Sequence, residues 1–236
     1  MPDFRVTIEH YMDQVHRLAN TFTVLIAEAL GLEQTAFCQL FDEASNDRLM
    51  LAKYPLPASL SESKEKDFQG IGTHRDSSFL TFLFPGTEHT GLQAQNKSGT
   101  WIPVPPLPGH FIVNIGRQLE ALTKGVCVAT THRVSLHPRD YHDDSGKPLG
   151  SRYAFPYFQV LGLDLTPATA SVEIPAHIAQ LADGNVKSDA ETYFQTYFKD
   201  GIGKGVLAAR ALRHPLAAQK FYPGLLEELT AGKVSK

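Results

Sequence analysis

The 236-residue sequence has little cysteine, little tryptophan and no surplus of positive charge. Each shortage narrows its possible function. Two cysteines, Cys38 and Cys127, cannot build a disulfide framework. They are expected to be small buried apolar residues in a reducing compartment. A formal net charge of −3 gives no basic face, which removes the electrostatic basis for a nucleic-acid partner. No run approaches the roughly 18 consecutive apolar residues that a membrane span needs. The start, Met-Pro-Asp-Phe-Arg, lacks the basic-then-apolar pattern of a secretory signal. The end, Val234-Ser235-Lys236, is not a peroxisomal address. The expected location is cytoplasmic.

The remaining composition, 42% hydrophobic and 20% charged, suits a chain that can bury a core. Residues 5–31 predict one long helix. Tyr11, Val15, Leu18, Phe22, Leu25, Ile26 and Ala29 recur at spacings of three and four, and Gly31 supplies a stop. A shorter helix is expected over 34–41. From about residue 48 the pattern changes to short apolar runs broken by Pro, Gly, Asn and Ser: 49–54, 79–84, 91–95, 101–104, 110–115, 126–131 and 153–160. Short strands at this spacing predict a β-sandwich or barrel, with the helix laid on one sheet. Exposed loops are expected at 59–69 and 137–151, and helices from about 172. The predicted fold class is mainly β with flanking helices. It divides into a helical segment at 1–47, a β core at 48–170 and a helical extension at 171–236.

The chemistry-bearing stretch is Gly72-Thr73-His74-Arg75-Asp76. On an extended segment residues i and i+2 point to one side, so His74 and Asp76 can grip one ion together. The best third ligand is His132, in Thr130-Thr131-His132-Arg133-Val134. Two imidazoles and one carboxylate on one face leave positions open, which suits Fe(II) that must also take a chelating cosubstrate and O2. No cysteine pairs compete for a zinc assignment. Arg75, between the two ligands, should point away from the metal.

Seven segments, in order from Lys53-Tyr54-Pro55 through Gly70–Thr81, Gly91-Leu92-Gln93, Trp101–Gly109, Val113–Gly116 and Thr131–Val134 to Arg152–Phe158, resemble the Fe(II)/2-oxoglutarate-dependent dioxygenases. The likeness is to the catalytic region of their isopenicillin N synthase-like branch. It implies a double-stranded β-helix (jelly roll) with Fe(II) held by His74, Asp76 and His132. It also implies that Arg152 pairs with the distal carboxylate of 2-oxoglutarate, as a planar guanidinium can do bidentately. Tyr54 matches a tyrosine that can hydrogen-bond the cosubstrate. The implied activity is oxidation, by hydroxylation or desaturation, of a small organic molecule of the kind met in specialised metabolism.

The chain departs from the family pattern in several places. Ala154 stands where the family has a serine beside the anchoring arginine, which removes a hydrogen bond worth about 1.5–3 kcal/mol to a charged partner. Ala52 replaces an asparagine, the segment between His132 and Arg152 is long, and the segment that precedes the long helix in this branch is not matched. Two alternatives stay open at this stage: an iron oxidase that does not use 2-oxoglutarate, and a non-catalytic jelly-roll metal-binding protein. Oligomeric state is not legible.

Other motifs read as structural. Pro103, Pro105, Pro106 and Pro108 form a rigid connection, Gly201–Gly205 a helix break, and Asp143-Asp144 a solvated turn. His10, His16, His89, His110, His137 and His142 read as surface or capping residues. Phe84, Leu92 and Phe158 read as core.

Overall fold

The computed structural model describes residues 1–43, 46–56, 67–143, 145–182, 192, 194–195 and 198–231. Helix α1, Phe4–Ala29, comes first. Among the described residues nine strands follow: β1 Arg48–Leu49, β2 Ala52–Tyr54, β3 Phe68–His74, β4 Leu80–Pro85, β5 Leu92–Gln95, β6 Trp101–Pro103, β7 Ile112–Ile115, β8 His132–Leu136 and β9 Arg152–Gln159. A short helix α2, Arg117–Leu122, separates β7 from β8. The strands form two antiparallel sheets. One runs β1-β9-β4-β7 with β2 also on β9, and the other runs β3-β8-β5-β6. Sheets interleaved in sequence this way make the jelly roll that the family resemblance implies, within the sandwich or barrel class expected from the strand pattern.

The period-2 rule gives the first sheet two different faces. On β4, Leu80 and Phe82 enter the core beneath α1, while Thr81 and Leu83 line a cavity between the sheets. On β9, Tyr157 joins the α1 core, and Arg152, Ala154, Pro156 and Phe158 face the cavity. Helix α1 covers the outer face through Val15, Ala19, Thr23 and Ala27, spaced by four. The two small alanines let the helix sit close, and Phe22 meets Phe82 edge-on at 5.3 Å. Of the predicted positions Val15 is buried and Tyr11, Leu18, Phe22 and Ile26 pack against the core, whereas Leu25 and Ala29 are exposed. Gly31 adopts φ +67°, the left-handed conformation that ends a helix.

Several expectations are corrected. The helix over 34–41 is only a 3-10 turn at Cys38–Leu40, and Cys38 is exposed rather than buried. The strand over 126–131 does not form. Glu120 accepts from the Ala129 amide at 3.0 Å and Thr123 Oγ1 from the Cys127 amide at 3.1 Å, so side chains capture the backbone donors that a ladder would use. The strand begins instead at His132. The loop over 59–69 lies outside the described residues up to position 66, and Phe68 and Gln69 already belong to β3. The helix break expected at Gly201–Gly205 falls at its first residue: Gly201, at φ +106°, separates the helical Phe198 from the helix Ile202–Arg213, whose first turn holds Gly203 and Gly205. Residue 144, in the Asp143-Asp144 turn, lies outside the described residues, while Asp143 accepts from Ser145 and Lys147 as a turn aspartate does.

Among the described residues no helix is long and apolar enough to cross a membrane. Phe82 is fully buried between α1 and the first sheet. Phe82→Ala is expected to lower unfolding stability by about 3–5 kcal/mol through lost burial and an unfilled cavity, read from urea denaturation midpoints. A loss under about 1 kcal/mol would mean that α1 does not seal this face.

Candidate metal centre

His74 closes β3 and His132 opens β8, and the antiparallel register sets the two directly opposite. Two register shifts in β3, between Gln69 and Ile71 and between Ile71 and His74, deliver His74 to that position. The imidazole centroids stand 4.3 Å apart. Asp76 lies two residues beyond His74, where the chain turns toward β4, and its carbonyl accepts from the Arg117 amide at 2.8 Å. That bond ties the turn to the start of α2. Gly116 has no room for a side chain: a Cβ there would stand 1.9 Å from the Ser78 carbonyl oxygen.

The two imidazoles are held by the same device. His74 Nδ1 lies 2.8 Å from the Gly72 carbonyl and His132 Nδ1 lies 2.9 Å from the Thr130 carbonyl. A carbonyl can only accept, so each Nδ1 carries the proton and each Nε2 presents a lone pair. Both Nε2 atoms face one oxygen: Asp76 Oδ1 is 3.5 Å from His74 Nε2 and 3.6 Å from His132 Nε2. These separations exceed an ordinary hydrogen bond. The three ligand atoms lie within 4.8 Å of one another, the spacing of a group that could hold a metal ion. The other carboxylate oxygen, Asp76 Oδ2, receives Asn114 Nδ2 at 3.4 Å from β7, in the opposite sheet. His132 and Asp76 are 8% and 6% exposed, whereas the His74 side chain is 37% exposed.

Arg75 points away from the triad, as alternation requires. Its Nε donates to Thr131 Oγ1 at 3.1 Å, and its Nη1 stands 3.9 Å from the fully buried carboxylate of Glu120.

Arg152, the first residue of β9, is 5% exposed. Its guanidinium lies over the Tyr54 ring at 4.8 Å, because Tyr54 and Arg152 are register partners. Its Nε and Nη1 are buried without a hydrogen-bond partner. A buried cation with two unmet donors aimed into a polar-ended cavity fits a bound carboxylate. Arg152, Tyr54, Ala154, His74, Asp76 and His132 line one cavity. Leu92 and Phe158, expected in the core, also line it. His89, expected at the surface, is buried: its Nε2 donates to the Gly150 carbonyl at 3.1 Å and its ring meets Tyr141 edge-on. Tyr141 in turn donates to the Tyr54 carbonyl at 3.1 Å, which braces the wall behind Arg152.

Sequence reasoning did not single out Asn114 or Thr81. The signal for Asn114 was a polar residue between Val113 and Ile115 in an apolar strand, which has to be explained by a buried partner. Thr81 gave no such signal, since threonine is at home in strands.

The electrostatics of the triad are coupled. Contact with the Asp76 carboxylate raises the His74 pKa above 6.5, burial opposes this, and the Gly72 carbonyl adds to the rise. Burial would push Asp76 up, but contact with His74, the nearby charge of His132 and a bond from Thr81 outweigh it, so its pKa lies below 3.8.

The family model described as the 2OG-Fe(II) oxygenase superfamily matches residues 46–159. A 2-oxoglutarate-dependent dioxygenase of Gibberella zeae is 40% identical over 228 residues, covering 96% of this chain and 60% of the relative. The 2-oxoglutarate-dependent dioxygenase frbJ of a Dothideomycetidae species is 37% identical over 233 residues, covering 95% of this chain and 60% of the relative. The chain therefore spans about 60% of the length of these relatives. Among solved structures, full-length Neurospora crassa T7H in complex with alpha-KG matches with a TM-score of 0.66 at 22% identity. That match covers 89% of this chain and 57% of the other, and it shows a shared fold.

The pKa directions set a pH dependence for the metal-free protein. The raised His74 pKa contributes stability that is complete below 6.5 and is lost as pH rises through the folded value. The lowered Asp76 pKa contributes stability present above 3.8 and lost as pH falls through the folded value. The pair thus supports the metal-free fold best between 3.8 and 6.5. Metal uptake must displace the imidazolium proton, so it strengthens as pH rises. Between about pH 6 and about pH 8, denaturation midpoints of the metal-free protein are expected to fall while Fe(II) affinity rises. The two quantities rising together would contradict this assignment of protons.

Proposed function

Because the chain belongs to the 2OG-Fe(II) oxygenase superfamily, we propose that it is a 2-oxoglutarate-dependent dioxygenase that oxidises a small organic molecule. His74, Asp76 and His132 would hold Fe(II), and Arg152 with Tyr54 would hold 2-oxoglutarate. The single observation that carries the reading is the pair of imidazole Nε2 atoms turned onto one buried carboxylate oxygen, in the cavity that also contains a buried arginine with unmet donors. When bound, Fe(II) and 2-oxoglutarate supply the activation of O2, coupled to oxidative decarboxylation of the keto acid to succinate and CO2.

The chain's own residues have separate tasks. Gly72 and Thr130 carbonyls fix which imidazole nitrogen is available. Asn114 holds one carboxylate oxygen of Asp76 and leaves the other for the metal. Arg152 neutralises and orients the distal carboxylate of the cosubstrate, and Tyr54 supports its guanidinium from beneath. Leu83, Leu92 and Val134 keep the inner cavity apolar between these polar ends, which limits water and strengthens each charged contact. In this reading residues 48–170 are the oxygenase core, 1–47 brace it and 171–236 extend it. A cytoplasmic setting is part of the same proposal, supported by the free thiols of Cys38 and Cys127.

A second reading, an iron oxidase that needs no 2-oxoglutarate, draws on Ala154, which sits in the cavity where the family's serine hydroxyl would be. Succinate formed per O2 consumed separates the two. One-to-one succinate supports the dioxygenase, and O2 uptake without succinate supports the oxidase.

His132→Ala is expected to abolish both Fe(II) binding and 2-oxoglutarate turnover, measured by anaerobic titration and succinate release. Arg152→Leu is expected to keep Fe(II) binding and raise the KM for 2-oxoglutarate by about 10- to 150-fold, the equivalent of about 1.5–3 kcal/mol for a lost charged pair. Ala154→Ser should lower that KM. An unchanged KM in Arg152→Leu would remove the arginine from cosubstrate binding.

A further inference from the structure

The inner cavity opens outward. His74, Asp76, Met50, Ile71 and Phe158 line both it and a wider cleft. The outer cleft differs in charge. Arg48, from β1, and Arg210, Arg213 and His214, from the end of the helix Ile202–Arg213 and its cap, stand along it. This clustering runs against a chain whose formal net charge is −3. Arg210 and Arg213 are three apart, so they share one face of their helix.

None of these three arginines has an ion-pair or hydrogen-bond partner among the described residues. The nearest acidic neighbour in sequence, Asp47, is committed elsewhere. One of its oxygens receives the Tyr157 hydroxyl at 2.6 Å and contacts His16 at 3.0 Å, and the other receives the Val160 amide at 3.0 Å. Burial and the charges of Arg210 and Arg213 pull the Arg48 pKa down, with Asp47 offsetting part. Like charges brought together at a cleft and only partly offset by Asp47 raise the free energy of the empty cleft, and an anion entering it relieves that cost.

The geometry points to a substrate-binding role for this cleft: Arg48, Arg210 and Arg213 hold an oxyanion group, carboxylate or phosphate, of the molecule to be oxidised. Its neutral body lies along Met50, Ile71 and Phe158, toward His74 and Asp76. The inference deepens the oxygenase reading and rests on it for the identity of the reacting centre. It assigns the two anionic groups to different ends of the site. The cosubstrate carboxylate goes to Arg152 inside, and the substrate oxyanion goes to the arginines outside. Specificity then comes from charge at the mouth and shape within, and a neutral analogue loses the outer contact.

The test uses the full chain loaded with Fe(II) and 2-oxoglutarate under nitrogen, so that binding is read without turnover. Two matched pairs are titrated by calorimetry: phenylacetate against phenylacetamide, and benzyl phosphate against benzyl alcohol. At least one charged member is expected to bind about tenfold or more tighter than its neutral partner, and the larger preference names carboxylate or phosphate. In Arg210→Gln/Arg213→Gln that preference should disappear while Fe(II) and 2-oxoglutarate affinities stay unchanged. Both positions are exposed, and circular dichroism verifies that the variant is folded. Rising ionic strength on the unaltered chain must shrink the same preference, which tests the charge without any substitution.

Equal binding of charged and neutral probes overturns the inference. So does a preference that survives the double substitution, or one lost only in Arg152→Leu, which would put the probe in the cosubstrate pocket. Failure of the chain to take up Fe(II) overturns the oxygenase reading instead. The probe titrations repeated without metal then still decide whether the arginines select an oxyanion.

Discussion

Two backbone carbonyls control the candidate metal centre. Gly72 and Thr130 each hold the Nδ1 of the imidazole two residues on, and so turn both Nε2 atoms toward Asp76 Oδ1. Without that restraint a half-exposed histidine such as His74 would sample several rotamers, and binding a metal would cost the entropy of ordering it. The Gly72 carbonyl belongs to β3 and the Thr130 carbonyl lies two residues before β8, and the pairing of His74 with His132 across these strands sets the ligand atoms opposite each other. The third ligand is anchored differently. Asp76 is held through its main chain by α2 and through its side chain by Asn114 from the other sheet. The centre is therefore a place where both layers of the jelly roll are tied together.

The rest of the molecule follows from giving each strand of the first sheet two roles. Alternate residues of β4 and β9 bury themselves under α1 or face the cavity. Stability is concentrated on the α1 side, where phenylalanines interlock, and chemistry on the other. This division lets Arg152 be buried at a strand end with its Nε and Nη1 unpaired: the packing that excludes water from it comes from neighbours in the fold, Tyr54 among them, and its guanidinium lines the cavity. Tyr54, Tyr141 and His89 form a wall behind the guanidinium, linked by ring contacts and by hydrogen bonds to backbone carbonyls.

Charge is arranged along the same axis. Arg152 lies at the inner end, the carboxylate of Asp76 at the middle, and Arg48, Arg210 and Arg213 at the outer cleft. Net composition conceals this order, because acidic residues spread over the surface outweigh it in the sum. Arg75, between the two ligands in sequence, is kept out of the axis by its contacts with Thr131 and buried Glu120. A further cation beside the metal would otherwise repel it.

Local chemistry in the sequence was enough to determine α1 and its Gly31 stop, most of the strands, and the pairing of His74 with Asp76 on one side of an extended segment. These depend on periodicity and on residues a few places apart, where the physics is nearly independent of the fold. Register and long-range capture lay beyond it. The strand expected at 126–131 was lost to Glu120 and Thr123. His89 was buried by Tyr141 and Gly150, and Phe158 was turned to the cavity by strands paired far along the chain, while Leu92 kept its expected core place with Val134 and Leu136. The outer arginine cleft joins residue 48 to residues 210 and 213, which no sequence spacing connects. Such contacts depend on how two sheets and a distant helix close around shared space, so only the tertiary structure decided them.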